Sequence, residues 1–370
     1  MILEGVSVLS KSVKFALFAD LHYIKGYYTC TPKHLEAILE RAGREDVEFI
    51  MQLGDFSNDY IGSPEMVKLY LENPQGLPAY GIYGNHELEC MHHGKADPNT
   101  EHSMLYVTPY LTNRPDEVIW GTPDGKPEPN GEIAYYWFER SGFRFVCTDC
   151  GYSYNADKGE WEHNFNLYPR TKGNRPTECL GVEQRRWMEE VLTDAANKNI
   201  PCIVFSHPTF YKEWGGNAGD ADEACAIFNR VNEIRPGTVI AVINGHKHSD
   251  HVAIRDNIVF LDINVVNNGL WMADGIPHYT DDQMFEYLDY DREGNYLGTE
   301  MRPINTLPNA PRTWFFDDPL SCIITVTDTG VVTVDGSETT WLHGIEPPAG
   351  YTKVPRITSG QYEIVRKEEM

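Results

Sequence analysis

The chain has 370 residues, of which 41% are hydrophobic and 12% aromatic, so it can bury a substantial core in one large domain or two ordinary ones. Lysine and arginine number 31 against 55 aspartates and glutamates, which gives a formal net charge of -24. A chain this acidic is not expected to bind nucleic acids generally or to bind an anionic membrane surface.

Eight cysteines are scattered without a spacing rhythm, at positions 30, 90, 147, 150, 179, 202, 225 and 322. A chain of this length does not need disulfides to be stable, so reduced thiols are expected. The sequence as given has neither the basic start and cleavage site of a signal peptide nor an apolar run long enough to cross a membrane. These features predict a cytoplasmic protein without membrane segments.

The first part of the chain alternates strand and helix patterns. Apolar runs at 14–19, 49–53 and 79–83 predict buried strands. Thr31-Pro32 and Ser63-Pro64 each predict a helix start, because a capping side chain followed by proline is typical of that position. The first helix is expected to end near Gly43. This order predicts parallel strands joined by right-handed crossovers.

The rest of the chain is expected to continue the same fold with two insertions, at 88–130 and 151–177. Between and after them we predict a hairpin at 133–148, helices at 180–198 and 222–234, and strands at 202–205 and 238–243. Hairpins follow within 251–335, and they either cap an edge of the main sheets, which we favour, or form a small separate sheet. Residues 1–345 are predicted to be a single domain and 346–370 a C-terminal tail.

Five polar clusters each directly follow an apolar strand, where side chains leave the sheet and can converge. They are Asp20-Leu21-His22, Gly54-Asp55, Gly84-Asn85-His86-Glu87, Ser206-His207 and Gly245-His246-Lys247-His248. Any one of them would be interpreted as a turn or a hydrogen-bonded loop. The ligands that they pool are two carboxylates, one amide oxygen and four imidazoles, a set that suits manganese, iron or zinc: Asp20, His22, Asp55, Asn85, His207, His246 and His248. Seven ligands are too many for one tetrahedral ion, so they indicate two.

This ordered set of motifs resembles the calcineurin-like metallophosphoesterase superfamily between residues 20 and 248. The resemblance implies an α/β fold, a four-layer αββα sandwich of two mixed β-sheets flanked by helices. It implies two divalent metal ions, manganese or iron before zinc. One ion would be held by Asp20, His22, Asp55 and His248, and the other by Asp55, Asn85, His207 and His246, with Asp55 bridging.

The resemblance also implies the reaction, which is hydrolysis of a phosphate monoester or diester by a metal-bridging hydroxide that attacks phosphorus in line. His86 would assist the leaving group, since histidine titrates close to neutral pH. Glu87 either orients His86 or is a surface carboxylate. The expected partner is a small phosphorylated substrate, and the oligomeric state stays open.

Two other functions are compatible with the same residues: a catalytically inactive scaffold that binds metal or another protein, and metal storage or sensing. The presence of all seven ligands and His86 favours the enzyme. Some side chains match no motif. Five further histidines are expected at the surface or in substrate loops, and three aromatic residues of the second insertion are expected to form its own small core or to stack on a substrate ring. These residues are His92, His93, His102, His163 and His251, and Tyr152, Tyr154 and Trp161.

Overall fold

The computed structural model describes residues 10–23, 32–56, 63–90, 111–127, 133–155, 159–163, 178–271, 279–290, 296–306, 313–347 and 351–366. Over these residues the chain forms one six-stranded and one seven-stranded β-sheet, together with three two-stranded pairs. Helices lie against the main sheets.

The first elements alternate as predicted: β1 (Ser12–Phe18), α1 (Pro32–Arg44), β2 (Phe49–Gln52), α2 (Ser63–Leu71) and β3 (Ala79–Gly81). Helix α1 begins at its proline and ends one residue beyond Gly43. Its buried residues recur at helical spacing, at Leu35, Ile38, Leu39 and Ala42. Strands β1, β2 and β3 are parallel, with Phe15 opposite Phe49, so the predicted parallel arrangement is confirmed.

The middle of the chain contains α3 (Asn85–Cys90), β4 (Val118–Trp120), β5 (Tyr136–Arg140), β6 (Phe143–Cys147), β7 (Tyr152–Asn155), β8 (Glu160–His163), α4 (Gly181–Lys198), β9 (Cys202–Ser206), α5 (Ala221–Ile234) and β10 (Val239–Asn244). The predicted hairpin is confirmed by the antiparallel pairing of β5 with β6. Helices α4 and α5 and strands β9 and β10 also form where they were predicted. Helix α3 and strand β4 were not predicted, because six and three residues are too few to show a hydrophobic period.

The last part is almost entirely strands: β11 (His251–Arg255), β12 (Ile258–Asp262), β13 (Asn268–Trp271), β14 (Met284–Tyr290), β15 (Tyr296–Pro303), β16 (Thr313–Phe315), β17 (Cys322–Thr327), β18 (Val331–Gly336) and β19 (Gly360–Glu363). The three predicted hairpins form as β11–β12, β14–β15 and β17–β18. The first and third extend the main sheets, as we favoured, whereas β14–β15 makes a separate pair.

Both large sheets are mixed. The six-stranded sheet has the order β19-β18-β17-β1-β2-β3, and the seven-stranded sheet has the order β11-β12-β10-β9-β6-β5-β4. In the six-stranded sheet the parallel strands β1, β2 and β3 form one half and the antiparallel strands β17, β18 and β19 the other. In the seven-stranded sheet the parallel strands β12, β10, β9 and β6 lie inside and antiparallel strands complete both sides. The two sheets touch through a bridge between Ala19 and Val265, one residue before Asp20. The carboxyl ends of the parallel strands of both sheets therefore meet near the first polar cluster.

The hydrophobic core divides the molecule into four layers. Between the sheets lies an aromatic cluster in which Phe15 stacks on Phe49 with ring centroids 4.9 Å apart. On the outer face of the six-stranded sheet, α1 and α2 pack against Phe18 and neighbouring residues. On the outer face of the other sheet, α4 and α5 pack against Val204 and Val242. The predicted αββα sandwich is thus confirmed.

The predicted insertions and tail are only partly within the described residues. Residues 91–110 and 128–130 of the first insertion, and 156–158 and 164–177 of the second, lie outside them. Residues 346–370, which were set apart as a tail, contribute β19, whose Gln361 lies opposite Thr333 of β18. The prediction of a single domain remains a prediction. Within the part of the chain that is described, no helix is both long enough and apolar enough to span a membrane.

Candidate metal centre

Three of the predicted ligands form a first group at the edge where the two sheets meet. The ligand atoms of Asp20, His22 and His248 all lie within 4.8 Å of one another. The Nε2 atoms of the two imidazoles are 2.8 Å apart, and Oδ1 of Asp20 is 3.3 Å from Nε2 of His248. Residues from the ends of β1 and β10, one in each sheet, therefore converge on a single point.

A second group lies beside the first. Oδ1 of Asn85 is 2.9 Å from Nδ1 of His246 and 3.3 Å from Nε2 of His207. The two imidazole nitrogens are 3.2 Å apart. An amide oxygen from the start of α3 and two imidazoles that follow β9 and β10 thus surround a second point.

The carboxylate of Asp55 lies between the two groups. Its Oδ2 is 3.2 Å from Nε2 of His207 and 3.9 Å from Nε2 of His22. Its Oδ1 accepts a hydrogen bond of 2.8 Å from the backbone N–H of His86, which fixes the rotation of the carboxylate. One side chain therefore reaches both groups, the position that a bridging ligand requires.

Unusual backbone conformations bring these side chains together. Five of the seven predicted ligands have positive φ angles between 50° and 68°: Asp20, His22, Asp55, His246 and His248. This left-handed conformation costs a non-glycine residue on the order of 1 kcal/mol or more, and such residues cluster at functional sites. Hydrogen bonds between the loops hold the conformation. For example, the N–H of His22 donates to the carbonyl of Asp55 at 2.8 Å.

Two glycines of the motifs are required by close approach. A β-carbon on Gly84 would lie 2.1 Å from Oδ1 of Asp55, and one on Gly245 would lie 2.6 Å from Oδ2 of Asp20. Any side chain at either position would collide with a carboxylate of the centre. The glycines in Gly-Asn-His-Glu and Gly-His-Lys-His therefore allow the loops to approach one another.

Neighbouring groups orient the predicted ligands. Nδ1 of His207 lies 2.7 Å from the carbonyl oxygen of Leu53. That oxygen can only accept, so Nδ1 carries a proton and in the neutral imidazole the lone pair of Nε2 faces the centre. Oδ2 of Asp20 accepts the N–H of His246 at 2.9 Å. Backbone groups thus select both the tautomer and the orientation.

Glu87 is buried, so it is not the surface carboxylate that was one of the two alternatives for it. The residue is 8% exposed, and its Oε2 accepts hydrogen bonds from the N–H of Asp55 at 2.9 Å and from the N–H of Gly84 at 2.6 Å. Through these bonds the carboxylate joins the loop after β2 to the loop after β3. The sequence Gly-Asn-His-Glu indicated that this stretch belongs to the site. It could not show that its glutamate accepts hydrogen bonds from the N–H groups of Asp55 and Gly84.

The charges of the centre are strongly coupled. Burial would raise the pKa of Asp55, but the nearby imidazoles of His207 and His86 outweigh it and hold the pKa well below its ordinary value. Burial lowers the pKa of His22 to about 3 and that of His246 to about 4, and in each case a neighbouring imidazole adds to the effect. Asp55 is therefore ionised at neutral pH, and the lone pairs of His22 and His246 are available.

His86 lies at the margin of the centre. Its side chain is 30% exposed, its Nε2 is 3.9 Å from Oδ2 of Asp55, and its ring centroid is 5.0 Å from that of His22. Together with His22 and Asp55 it also forms a group whose atoms lie within 4.8 Å of one another. The residue is thus close enough to contact a substrate bound at the centre, and also close enough to act as a ligand.

A shallow groove beside the second group is lined by Tyr83, Asn85, Cys150, Glu178, His207 and Pro208. Of the histidines that match no motif, His251 is partly exposed next to the centre. His92, His93 and His102 lie outside the described residues, as do the side chains of His163, Tyr154 and Trp161.

The donor set fits a pair of divalent cations. Asp20 and Asp55 are 1% and 2% exposed, and buried carboxylates are normally paired or bound to a metal. Carboxylate, amide and imidazole donors without thiolate suit manganese, iron and zinc. Two overlapping groups that share Asp55 therefore have the chemistry of a dinuclear metal site.

Comparison with known proteins gives consistent results. The family model of calcineurin-like phosphoesterases matches residues 13–250. The manganese-dependent ADP-ribose/CDP-alcohol diphosphatase of Mus musculus is 23% identical over 282 residues, which cover 63% of this chain and 77% of the mouse protein. The crystal structure of a dimetal phosphatase from Danio rerio aligns with a TM-score of 0.53 and 14% identity over 89% of this chain and 98% of that chain. At that identity the last similarity shows the fold alone.

Proposed function

The chain belongs to the calcineurin-like phosphoesterase family and is therefore a hydrolase of phosphate esters, and we propose that it acts through a centre of two divalent ions. The observation that carries the proposal is the position of the Asp55 carboxylate within 4 Å of imidazoles from both groups. The residues proposed to hold the ions are Asp20, His22, Asp55, Asn85, His207, His246 and His248.

Two such ions, when bound, supply an activated water and Lewis-acid stabilisation of the phosphoryl oxygens. We propose manganese or iron before zinc. Manganese is supported by the absence of thiolate donors and by the manganese dependence printed for the mouse relative. In this role the chain's own residues fix the geometry: Leu53 sets the tautomer of His207, and Glu87 fixes the loop that carries Asp55.

We propose that His86 donates the proton that the leaving oxygen of the substrate needs. The support is its place at the margin of the centre, partly exposed and held beside Asp55 by its own backbone N–H. An imidazole at hydrogen-bond distance from a leaving group contributes to rate as a general acid. The described residues nearest to the substrate phosphate would then be this histidine and the seven ligands.

The first substrates to test are nucleoside diphosphate conjugates, because the mouse relative is a diphosphatase of ADP-ribose and CDP-alcohols. Phosphate monoesters and diesters should be tested beside them, since the same centre is suited to all three.

The experiment is metal analysis of protein purified without chelator, followed by assays of aryl monoesters, aryl diesters, cyclic nucleotides and ADP-ribose with manganese, iron, zinc and magnesium. We expect close to two equivalents of metal and hydrolysis of at least one class. Asp55→Asn should lose both ions together, because both groups share this carboxylate. Protein that holds a single ion, or Asp55→Asn that keeps two, would contradict the dinuclear centre. Inert protein without metal would support the scaffold instead.

A further inference from the structure

Three side chains without a specific predicted role form a wall on the loops that carry or follow the ligands His207, His246 and His248. Trp214 lies on the loop after His207, Lys247 lies between the ligands His246 and His248, and His251 begins β11. All three are partly exposed. We call this set the Trp214–His251 wall.

His251 is held in one orientation from two sides. Its Nδ1 lies 3.1 Å from Oδ2 of Asp262. Its ring packs on the ring of Trp214, with centroids 5.3 Å apart and planes inclined by 22°. Tyr211 packs on Trp214 in turn, with centroids 4.7 Å apart. A histidine fixed by a carboxylate and by an aromatic face presents its remaining nitrogen in a defined direction.

The carboxylate behind His251 is buried and anchored. Asp262 is 1% exposed, and its Oδ1 accepts a hydrogen bond of 2.7 Å from Nδ2 of Asn244, two residues before His246. Burial raises the pKa of Asp262 to about 7, and its hydrogen bond to His251 raises the pKa of that imidazole. The pair is thus built into the same strand ends that carry the proposed ligands.

Lys247 brings a positive charge to this wall. A β-carbon on Gly216 would lie 3.2 Å from Cδ of Lys247 and 3.7 Å from Cδ2 of His246, so the lysine chain lies along the loop after β9 and beside a proposed ligand. Other lysines, such as Lys198 and Lys212, form ion pairs with carboxylates. Among the residues that the structure describes, none forms an ion pair with Lys247.

Two other carboxylates of these loops accept hydrogen bonds from neighbouring groups. Asp250 accepts hydrogen bonds from the N–H and the hydroxyl of Thr358. Glu213 accepts a hydrogen bond of 2.7 Å from the hydroxyl of Tyr211. The ammonium of Lys247 is an N–H donor beside His246. Since Nδ1 of His251 faces Asp262, the second nitrogen of His251 is an N–H donor on the same surface when the imidazole is protonated.

We propose that Lys247 and His251 bind a second phosphate of the substrate, adjacent to the phosphate that is hydrolysed at the metal centre. This inference rests on the proposed function and narrows its substrate class to phosphoanhydrides, such as nucleoside diphosphate conjugates. A compact ammonium and an oriented imidazole N–H together match the several acceptor oxygens of a phosphate. Asp262 is a positioning residue that acts through His251.

The position of Lys247 explains why the second phosphate would be adjacent to the one that is hydrolysed. His246 belongs to the group that contains Asn85 and His207, whereas His248 belongs to the group that contains Asp20. Lys247 therefore originates between the two proposed ion positions and extends beside one of them. In a substrate with two linked phosphates, one phosphate would be held by the ions. The second would then lie on the side of the centre where Lys247 extends.

The test is equilibrium binding to the manganese-loaded protein of two probes that lack a scissile phosphate monoester or anhydride, the methylenephosphonate analogue of AMP and the methylene-bridged diphosphate analogue of ADP. In the wild type the analogue should bind at least tenfold more tightly. Lys247→Met and His251→Gln should each reduce this preference about tenfold, because a charged hydrogen bond to phosphate is lost. Lys212→Met is the matched control, since it removes a lysine that lies on the loop that carries Trp214 and pairs with Asp222, and it should keep the preference.

Kinetics with ADP-ribose and an aryl monophosphate give a second readout. The ratio of kcat/KM for ADP-ribose to kcat/KM for the monoester should fall about tenfold in Lys247→Met and His251→Gln, mainly through KM. Asp262→Asn should shift the same ratio in the same direction. Metal content and Tm of each variant establish that the centre and the fold are intact.

The outcomes separate the two proposals. Wild-type protein that hydrolyses an aryl phosphate but binds the diphosphate analogue no better than the AMP analogue contradicts this inference and leaves the proposed function in place. Variants that weaken both probes equally also contradict it, since they would act on the centre as a whole. Protein that hydrolyses no phosphate ester contradicts the proposed function itself.

Discussion

At the scale of single residues, each of the four residues from Gly84 to Glu87 has a different role at the centre. Gly84 leaves room for the Asp55 carboxylate, Asn85 offers an amide oxygen, and the backbone of His86 orients Asp55. Glu87 accepts the amides of both loops. The types of the proposed ligands were evident from sequence. The task of Glu87 was not, because an acceptor for backbone N–H groups has no sequence pattern of its own.

This role of Glu87 predicts a change in metal affinity. Glu87→Gln keeps the size of the side chain but weakens the acceptor for the N–H groups of Asp55 and Gly84. Groups that orient metal ligands typically contribute 10- to 100-fold in affinity, so we expect a loss of about that size with kcat largely recovered at saturating manganese. Competition with a chelator measures the affinity. Glu72→Gln, an exposed residue beside Lys68, is the control, and equal affinities in the two variants would refute the assignment.

The leaving-group role of His86 predicts a dependence on the substrate. His86→Ala should retain both ions, because the seven proposed ligands are unchanged. Its turnover should fall by about 10² to 10⁴ on alkyl phosphates, whose leaving oxygen needs a proton, and by much less on nitrophenyl phosphates. Metal analysis and the turnover rates on the two substrate types test this role of His86. Undiminished turnover of alkyl phosphates would remove the role, and loss of an ion would make His86 a ligand.

At the scale of elements, the strands were predictable and the turns after them were not. Continuous apolar runs identify β1, β2, β9 and β10, and the polar residues that follow them identify the edge of the sheet. The positive φ angles that turn Asp20 or His248 toward the centre follow from contacts between loops distant in sequence. Strand β19 was not predictable from sequence either, because its short polar sequence is stabilised by pairing with β18. Contacts of this kind leave no local pattern.

The close approach of the loops after β2 and β3 predicts a severe effect of one methyl group. In Gly84→Ala the β-carbon would lie 2.1 Å from Oδ1 of Asp55, so the carboxylate or the loop must move. We expect metal content below two equivalents and activity reduced at least 100-fold. Gly76→Ala is the control, since its β-carbon meets nothing within 4 Å and only backbone strain of about 1 kcal/mol is added. Normal metal content in Gly84→Ala would show that the loops are not packed as described.

At the scale of the whole molecule, the two sheets share one aromatic core, and the centre lies where they meet. Residues of both sheets contribute to each proposed ion: Asp20 with His248, and Asp55 with His207. Such a site can exist only when both sheets are folded against each other. The predicted single domain therefore has a functional consequence, because opening either sheet would disperse the ligands.

Buried thiols in the two sheets allow this cooperativity to be measured. Cys202 lies in β9 and Cys322 in β17, both fully buried, and burial raises the pKa of each to about 12. Neither thiol should react with iodoacetamide at pH 8 in the native protein, since the reactive thiolate is absent and access is blocked. If the sheets unfold as one unit, both should become labelled at the same denaturant concentration.

Differential alkylation read by mass spectrometry across a urea series measures the two thiols in one sample. Cys225 on α5 is only partly buried and serves as an internal reference that should be labelled at lower urea concentrations through local opening. Manganese should shift the Cys202 and Cys322 transitions upward together, because binding to the folded state alone stabilises both sheets by the same free energy. A shift confined to one of the two thiols would mean that the sheets unfold separately and that the ions are held by only one of them.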